Sequence, residues 1–281
     1  MIAEPLPVAA VQTSPVFGDS ASNLARSAEL MGEAVAAGAR LIVLPEASVA
    51  GYVFADRAEA LRHAEPVPGG AACRAWARFC AEHRVWVAAG LTELAGDRVY
   101  NGAVLIGPGG LAGVYRKVHL WNDEKRIYSP GDLGFPVFDT PIGRIGLVIC
   151  YDLWFPESLR ACALAGADLV CAPSNWVPVP GQPAGLPPMA HLMCVTGAHS
   201  NQVAVAAASR TGVERGRPFI GGSVIVDHTG WPAAEPAAAD PAGAAPEQIV
   251  HARLDPIGSR AVRAGNPFNQ PLRDRRPEVY R

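Results

Sequence analysis

The six cysteines of this 281-residue chain form no CxxC pair, and its seven histidines show no HExxH or other metal-ligand spacing. No metal site is expected from such a pattern. Cys73, Cys80, Cys150, Cys162, Cys171 and Cys194 all lie in otherwise apolar segments. That placement fits reduced thiols in a cytosol better than a disulfide framework, so a cytoplasmic location is expected. An excess of one charge is also missing. The net charge is −2, which offers no basic surface for nucleic acid or a membrane. Residues 1–13 lack a basic stretch followed by a long apolar core, so neither a signal peptide nor a membrane span is read there. There is no Gly-Lys-Thr/Ser phosphate loop, and Gly107-Pro-Gly-Gly110 does not fit a GxGxxG fingerprint. No cofactor is expected. The absence of room for an ATP module also weighs against a glutamine-fed synthetase.

What remains is 49% hydrophobic and 18% charged, enough for a large core in one domain spanning 1–281. Val8–Gln12 reads as a strand. Asp19 or Ser20 caps a helix with Leu24, Ala28, Met31 and Val35 on one face, and Gly38 ends it. Leu41–Leu44 is a buried strand. A helix over about 70–83 precedes a strand at Val85–Gly90, and strands near 99–106 and 112–119 flank the Gly107–Gly110 turn.

The chain then repeats itself. Ala37-Gly-Ala-Arg-Leu-Ile-Val-Leu-Pro45 matches Ala165-Gly-Ala-Asp-Leu-Val-Cys-Ala-Pro173. Val85–Gly90 has a counterpart in Val203–Ala208, and Asn101–Ile106 in Gly221–Val226. Two such β-α halves, each with helices on one sheet face, bury their free sheet faces against each other. The expected fold is α/β, a four-layer α-β-β-α sandwich. The match sets Ser174 opposite Glu46, so only the first half carries the acid. Residues 232–247 are too rich in proline for a central strand and read as a surface excursion before a last strand, Gln248–Leu254. Residues 255–281 form a Pro- and Arg-rich tail, either a disordered end or an arm packing on another subunit.

Three strand ends carry chemistry. Leu41-Ile-Val-Leu-Pro-Glu46 ends in a carboxylate, Gly113-Val-Tyr-Arg-Lys117 brings an isolated cation, and Ile145-Gly-Leu-Val-Ile-Cys150 ends in a thiol just before a helix start. Taken singly, Cys150 is a small core residue, Glu46 a helix-start carboxylate and Lys117 a solvated lysine. Taken together and in order, Leu44-Pro-Glu46, Tyr115-Arg-Lys117-Val-His-Leu120 and Cys150-Tyr-Asp-Leu-Trp-Phe-Pro-Glu157 resemble the carbon–nitrogen hydrolase (nitrilase) superfamily. The resemblance covers about residue 8 to about residue 255, and it implies the same four-layer architecture.

The resemblance implies roles. Cys150 is the nucleophile. Glu46 takes the thiol proton, passes it to the departing nitrogen and then activates water against the thioester. Lys117 stays charged and stabilises the oxyanion, with the Tyr151 backbone N–H as a second donor. Within Asp123-Glu124-Lys125-Arg126, a plain solvated turn on charge alone, the family's spacing marks Glu124 as an additional positioning acid, with Asp123 the competing assignment. Glu157 suits a first-turn helix carboxylate. His119, beside Lys117, suits a hydrogen-bonding role better than Cys-His catalysis. Cys171, mid-strand without charged neighbours, reads as structural.

Substrate clues follow the cysteine. Tyr151-Asp152 resembles the amidase and carbamoylase branches, whereas nitrile-cleaving members carry Trp-Glu there. Leu153 and Trp154 stand where some carbamoyl-amino-acid hydrolases place arginines. Tyr52 and Phe54 after Glu46, with Tyr151, Trp154, Asn175 and Trp176, are the candidate pocket residues, although any one aromatic is equally a core residue. The expectation is hydrolysis of a small neutral amide, with release of ammonia. The alternatives are an N-carbamoyl compound, then a nitrile, and outside catalysis an inactive binding or assembly module. A homodimer or larger assembly is implied, with the helix after Cys150 at the interface. Segment 158–166 supports this, because Leu159, Ala161, Cys162, Ala163, Leu164 and Ala165 lie on more than one face.

Overall fold

Alternation of inward and outward apolar residues builds the sandwich. The computed structural model describes residues 5–280. The first half runs β1 (Leu6–Gln12), α1 (Ser20–Ala36), β2 (Leu41–Val43), α2 (Arg57–His63), β3 (Glu65–Pro66), α3 (Ala71–His83), β4 (Trp86–Ala95), β5 (Arg98–Gly107) and β6 (Gly110–Arg116). Asp19 caps α1 by accepting the Ser22 N–H at 3.1 Å. A short helix, α4 (Glu124–Ile127), leads to β7 (Val137–Thr140) and β8 (Gly143–Leu147). A 3-10 turn, Cys150–Trp154, precedes α5 (Pro156–Leu164), β9 (Leu169–Ser174), α6 (Met189–Asn201) and β10 (Ala204–Ser209). The hairpin β11 (Thr211–Glu214) and β12 (Arg217–Ile220), then β13 (Val224–Val226), β14 (Gln248–Leu254) and α7 (Gly258–Arg263), follow, with a last 3-10 turn at Pro277–Val279.

One sheet has the order β14-β1-β2-β4-β5-β6, with β3 beside β4; the other has β13-β10-β9-β8-β7. The internal repeat is therefore real in space. β1-β2-β4-β5 and β8-β9-β10-β13 have the same order and the same directions, parallel twice and then antiparallel. Each half also gains an antiparallel strand beside its first one, β14 on β1 and β7 on β8. β14 follows the second half in sequence yet belongs to the first sheet, and so ties the halves together.

Period-2 alternation sets the layers. Val8, Ala10, Leu41, Val43 and Ala88 meet Ile145, Leu147, Leu169, Cys171, Ala204 and Ala206 between the sheets. The intervening Ala9, Val11, Ile42, Val87 and Ala89 pack under α1 and α3, and Val148, Val170, Ala172 and Val205 under α5 and α6. These are the four layers expected.

Some boundaries differ from the sequence reading. β6 stops at Arg116, so Lys117 and His119 lie beyond the strand, and β8 stops three residues before Cys150. Residues 232–247 hold no strand, but they are not wholly superficial. Ala237 is buried in the inter-sheet core, and its backbone N–H donates to the Ser223 carbonyl at 2.9 Å. The tail begins by packing on its own chain: Arg260 and Arg263 of α7 pair with buried Asp168 at 2.6 and 2.9 Å.

Candidate active site

The three strand ends converge. Lys117 Nζ lies 2.7 Å from Glu46 Oε1 and 2.7 Å from Glu124 Oε1, and all three side chains are buried. The ladder places Lys117: its backbone N–H donates to the Asn101 carbonyl at 2.8 Å, one rung past the Gly102–Arg116 pair. Glu46 is placed by close approach. A Cβ on Gly90 of β4 would come within 2.5 Å of Glu46 Cα, so only glycine lets β4 pass the turn after β2. The Glu46 N–H faces the Ser174 carbonyl at 3.4 Å, so the two residues matched by the internal repeat meet across the pseudo-symmetric centre.

Glu124 binds with both oxygens. Oε1 accepts from Lys117, from Tyr52 Oη at 2.7 Å and from Asn101 Nδ2 at 3.1 Å, while Oε2 accepts the Trp121 N–H at 2.7 Å. Asp123 instead sits at the surface beside Arg217, 3.3 Å away, so of the two acids it is Glu124 that reaches Lys117. Asn101 also donates to Glu46 Oε1 at 2.6 Å. Glu46 Oε2 is buried and has no partner among the described residues. One oxygen is fixed by the lysine and the amide, and the other is free to take a proton.

Burial pushes Glu46 up to about 7, against the pull of Lys117. Burial opposes charge on Lys117 too, but Glu124 and Glu46 outweigh it and hold the ammonium charged well above its ordinary range. Cys150 is raised by burial and by Glu46, with Lys117 and the Asn175 backbone N–H favouring the thiolate. Its backbone is left-handed, φ 46°, at the start of the 3-10 turn.

Cys150 opens into a cavity of about 210 Å³ lined by Tyr52, Trp121, Tyr151, Trp154, Asn175, Trp176 and residues 177–180. Five of the six pocket residues expected from sequence line it. Phe54 does not. It packs with Val99, Leu120, Ile127 and Tyr128 in a separate core, two residues beyond the turn that presents Tyr52. Among the described residues, no charged side chain lines the cavity. Both polar atoms of the Asn175 side chain are buried without a partner among the described residues.

The described residues contain no helix long and apolar enough to cross a membrane. Residues 7–263 match the carbon-nitrogen hydrolase family. The chain belongs to that family. Among its relatives is a protein of Pyrococcus abyssi named nitrilase, 38% identical over 97% of this chain and 98% of its own length. A Solanum lycopersicum protein named N-carbamoylputrescine amidase is 33% identical over 94% of this chain and 90% of its own. The structure of a carbon-nitrogen hydrolase from Helicobacter pylori superimposes with a TM-score of 0.82 at 26% identity, covering 100% of this chain and 98% of that one.

In this carbon–nitrogen hydrolase several buried polar residues support the cluster, and sequence reading missed them. Asp152 accepts from four donors: the Ile149 N–H at 2.8 Å, Tyr115 Oη at 2.7 Å, the His119 N–H at 3.0 Å and His119 Nδ1 at 2.9 Å. His119 also stacks on Phe155, with ring centroids 3.7 Å apart. The histidine thus braces the turn that carries Cys150. Asn101 heads the apolar run Gly102–Ile106, and nothing local in the sequence marks its partners. Glu157 lies exposed in the first turn of α5, and Cys171 is buried in the inter-sheet core.

Proposed function

We propose that this hydrolase cleaves the C–N bond of a small neutral amide, a primary carboxamide first, through a cysteine thioester. The lining of the Cys150 cavity carries the reading: aromatic and aliphatic walls, no charge, and one unpartnered carboxamide at Asn175. An unpaired buried amide favours a ligand that offers both a donor and an acceptor, as a carboxamide does.

The chemistry follows from the charges. Glu46 takes the proton of Cys150, and the sulfur forms a bond to the carbonyl carbon. The oxyanion is stabilised by the Lys117 ammonium and by the Tyr151 backbone N–H. Collapse breaks the C–N bond, and Glu46 returns its proton to the nitrogen, which leaves as ammonia. Water then donates a proton to Glu46 and attacks the thioester; collapse breaks the C–S bond and Glu46 returns the proton to the departing sulfur, giving a carboxylic acid and free Cys150. Glu124 holds Lys117 and Tyr52 in place.

An N-carbamoyl compound is the second reading. It presents the same C(=O)NH₂ end, and the tomato relative bears such a name. A charged far end finds no countercharge in this lining, which puts it second; a nitrile is third. Ammonia release over a panel of carboxamides, carbamoyl compounds and nitriles tests the order. Turnover of primary carboxamides above the other two classes is expected, and exclusive turnover of nitriles would overturn the reading.

A further inference from the structure

Residues 44–56 form neither helix nor strand, so no ladder fixes Tyr52, although its hydroxyl binds Glu124 and its ring walls the cavity. The support comes from more than 150 residues away in sequence. Oε1 of Glu214 accepts the backbone N–H groups of both Tyr52 and Val53, at 2.8 and 2.5 Å. Arg210 pairs with Oε2 of the same carboxylate and donates to the Pro15 carbonyl at 2.9 Å. Both side chains are buried, at 1% and 3% exposure. The Arg210 guanidinium also lies 4.4 Å from the Phe219 ring centre, and Phe219 meets Tyr52 edge to face at 5.8 Å. One ion pair therefore grips Tyr52 by backbone and by ring. The fit leaves no slack: a Cβ on Gly51 would come within 2.9 Å of Glu214 Oε2 and 2.8 Å of the Phe17 ring.

A buried ion pair is a poor source of net stability, because desolvation offsets most of the attraction. It does fix geometry, since a carboxylate that accepts two adjacent N–H groups sets the path of the chain. We propose that Glu214, locked by Arg210, is a positioning residue for Tyr52. It sets the hydroxyl on Glu124 and the ring against the bound amide. The inference rests on the amidase reading above.

The test is a cycle of Glu214→Gln, Tyr52→Phe and the double variant. In Glu214→Gln the amide nitrogen either faces Arg210 or displaces an accepted N–H, so Tyr52 shifts while the bulk stays the same. Two rates are read: kcat on a primary carboxamide that the wild type turns over, and alkylation of Cys150 by iodoacetamide, followed by mass spectrometry. Each single variant is expected to lower kcat by about 10-fold or more, the scale of a misplaced positioning group, with the double variant close to the worse single. Alkylation should show the same lack of additivity. Losses that multiply in the double variant, or wild-type kcat in a folded Glu214→Gln, would overturn the proposal. Should Glu214→Gln not fold, Phe219→Leu in its place removes the ring contacts with Tyr52 and Arg210 while leaving the Glu214 hydrogen bonds, and the same comparison with Tyr52→Phe decides. If the wild type turns over no carboxamide, the amidase reading falls, and the alkylation cycle still decides whether Glu214 acts through Tyr52.

Discussion

Lys117 Nζ and Glu46 Oε1 lie 2.7 Å apart with both side chains fully buried, while the other oxygen of Glu46 has no partner among the described residues. One carboxylate is thus both a counter-ion and an open proton acceptor. Glu46→Gln keeps the shape and the Asn101 contact but removes the base, so kcat should fall at least ~100-fold with little loss of fold. Lys117→Ala should cost a similar ~100-fold in kcat as a lost oxyanion donor. It should also lower Tm, because Glu46 and Glu124 are then left facing each other without their cation. Cys150→Ala should abolish turnover, and Cys171→Ala should leave it nearly unchanged. Ammonia release and thermal melts check all four; full activity in Cys150→Ala would sink the mechanism.

The pH profile follows from the position of Glu46 near 7. Below that value the carboxyl is protonated and cannot accept the thiol proton. Above it the base is available, and Lys117 stays charged because its own titration lies well above the ordinary range. The rate of Cys150 alkylation and kcat/KM should therefore both rise with pH through about 7. The limb belongs to the Glu46–Lys117–Cys150 unit rather than to one residue. In Glu46→Gln it should vanish from its place near 7. A limb near 4.5, the ordinary value for a glutamate, would show that burial does not shift this carboxyl.

The candidate residues that meet around Lys117 and Cys150 stood out in the sequence because their chemistry is conspicuous where they stand. A carboxylate, a lysine and a thiol closed three apolar runs, in a chain whose basic residues are otherwise almost all arginine. The two halves were legible because Ala37–Pro45 and Ala165–Pro173 encode the same strand entry, β2 and β9. The supports were not. Asp152, Asn101 and Glu214 act on partners 33, 55 and 162 residues away, and a lone buried polar residue carries no local sign of its partner. Alternation also tells which face of a strand is buried but not which sheet the strand joins, so the pairing of β14 with β1 had no signal.

Asp152 offers a prediction about the frame of the nucleophile. Its carboxylate accepts four hydrogen bonds, two on each oxygen. An asparagine has one acceptor oxygen and an NH₂ group. In Asp152→Asn, either the Ile149 N–H or the His119 N–H must face the NH₂ group, a donor against a donor. Each buried group left unpaired costs about 1–3 kcal/mol. The variant should unfold at lower denaturant and release the left-handed Cys150 from its turn, lowering kcat more than it raises KM. Unchanged kcat in a destabilised variant would show that Cys150 keeps its conformation without this brace.

Assembly is tested at Leu164. Of the apolar residues on α5, Leu159 and Cys162 are buried against the sheet and α6, whereas Leu164 is half exposed on the other side. A helix that only covers a sheet has no use for a leucine there, although one exposed leucine alone is common. If a second copy covers this face, Leu164→Glu places a charge in an apolar contact and should shift the mass measured by light scattering toward the monomer. α5 starts two residues after the turn that carries Cys150, so the loss should also lower kcat. Leu159→Glu is the contrasting variant: it buries a charge inside one chain and should unfold the protein rather than dissociate it. An active wild-type monomer at micromolar concentration would rule out a requirement for assembly.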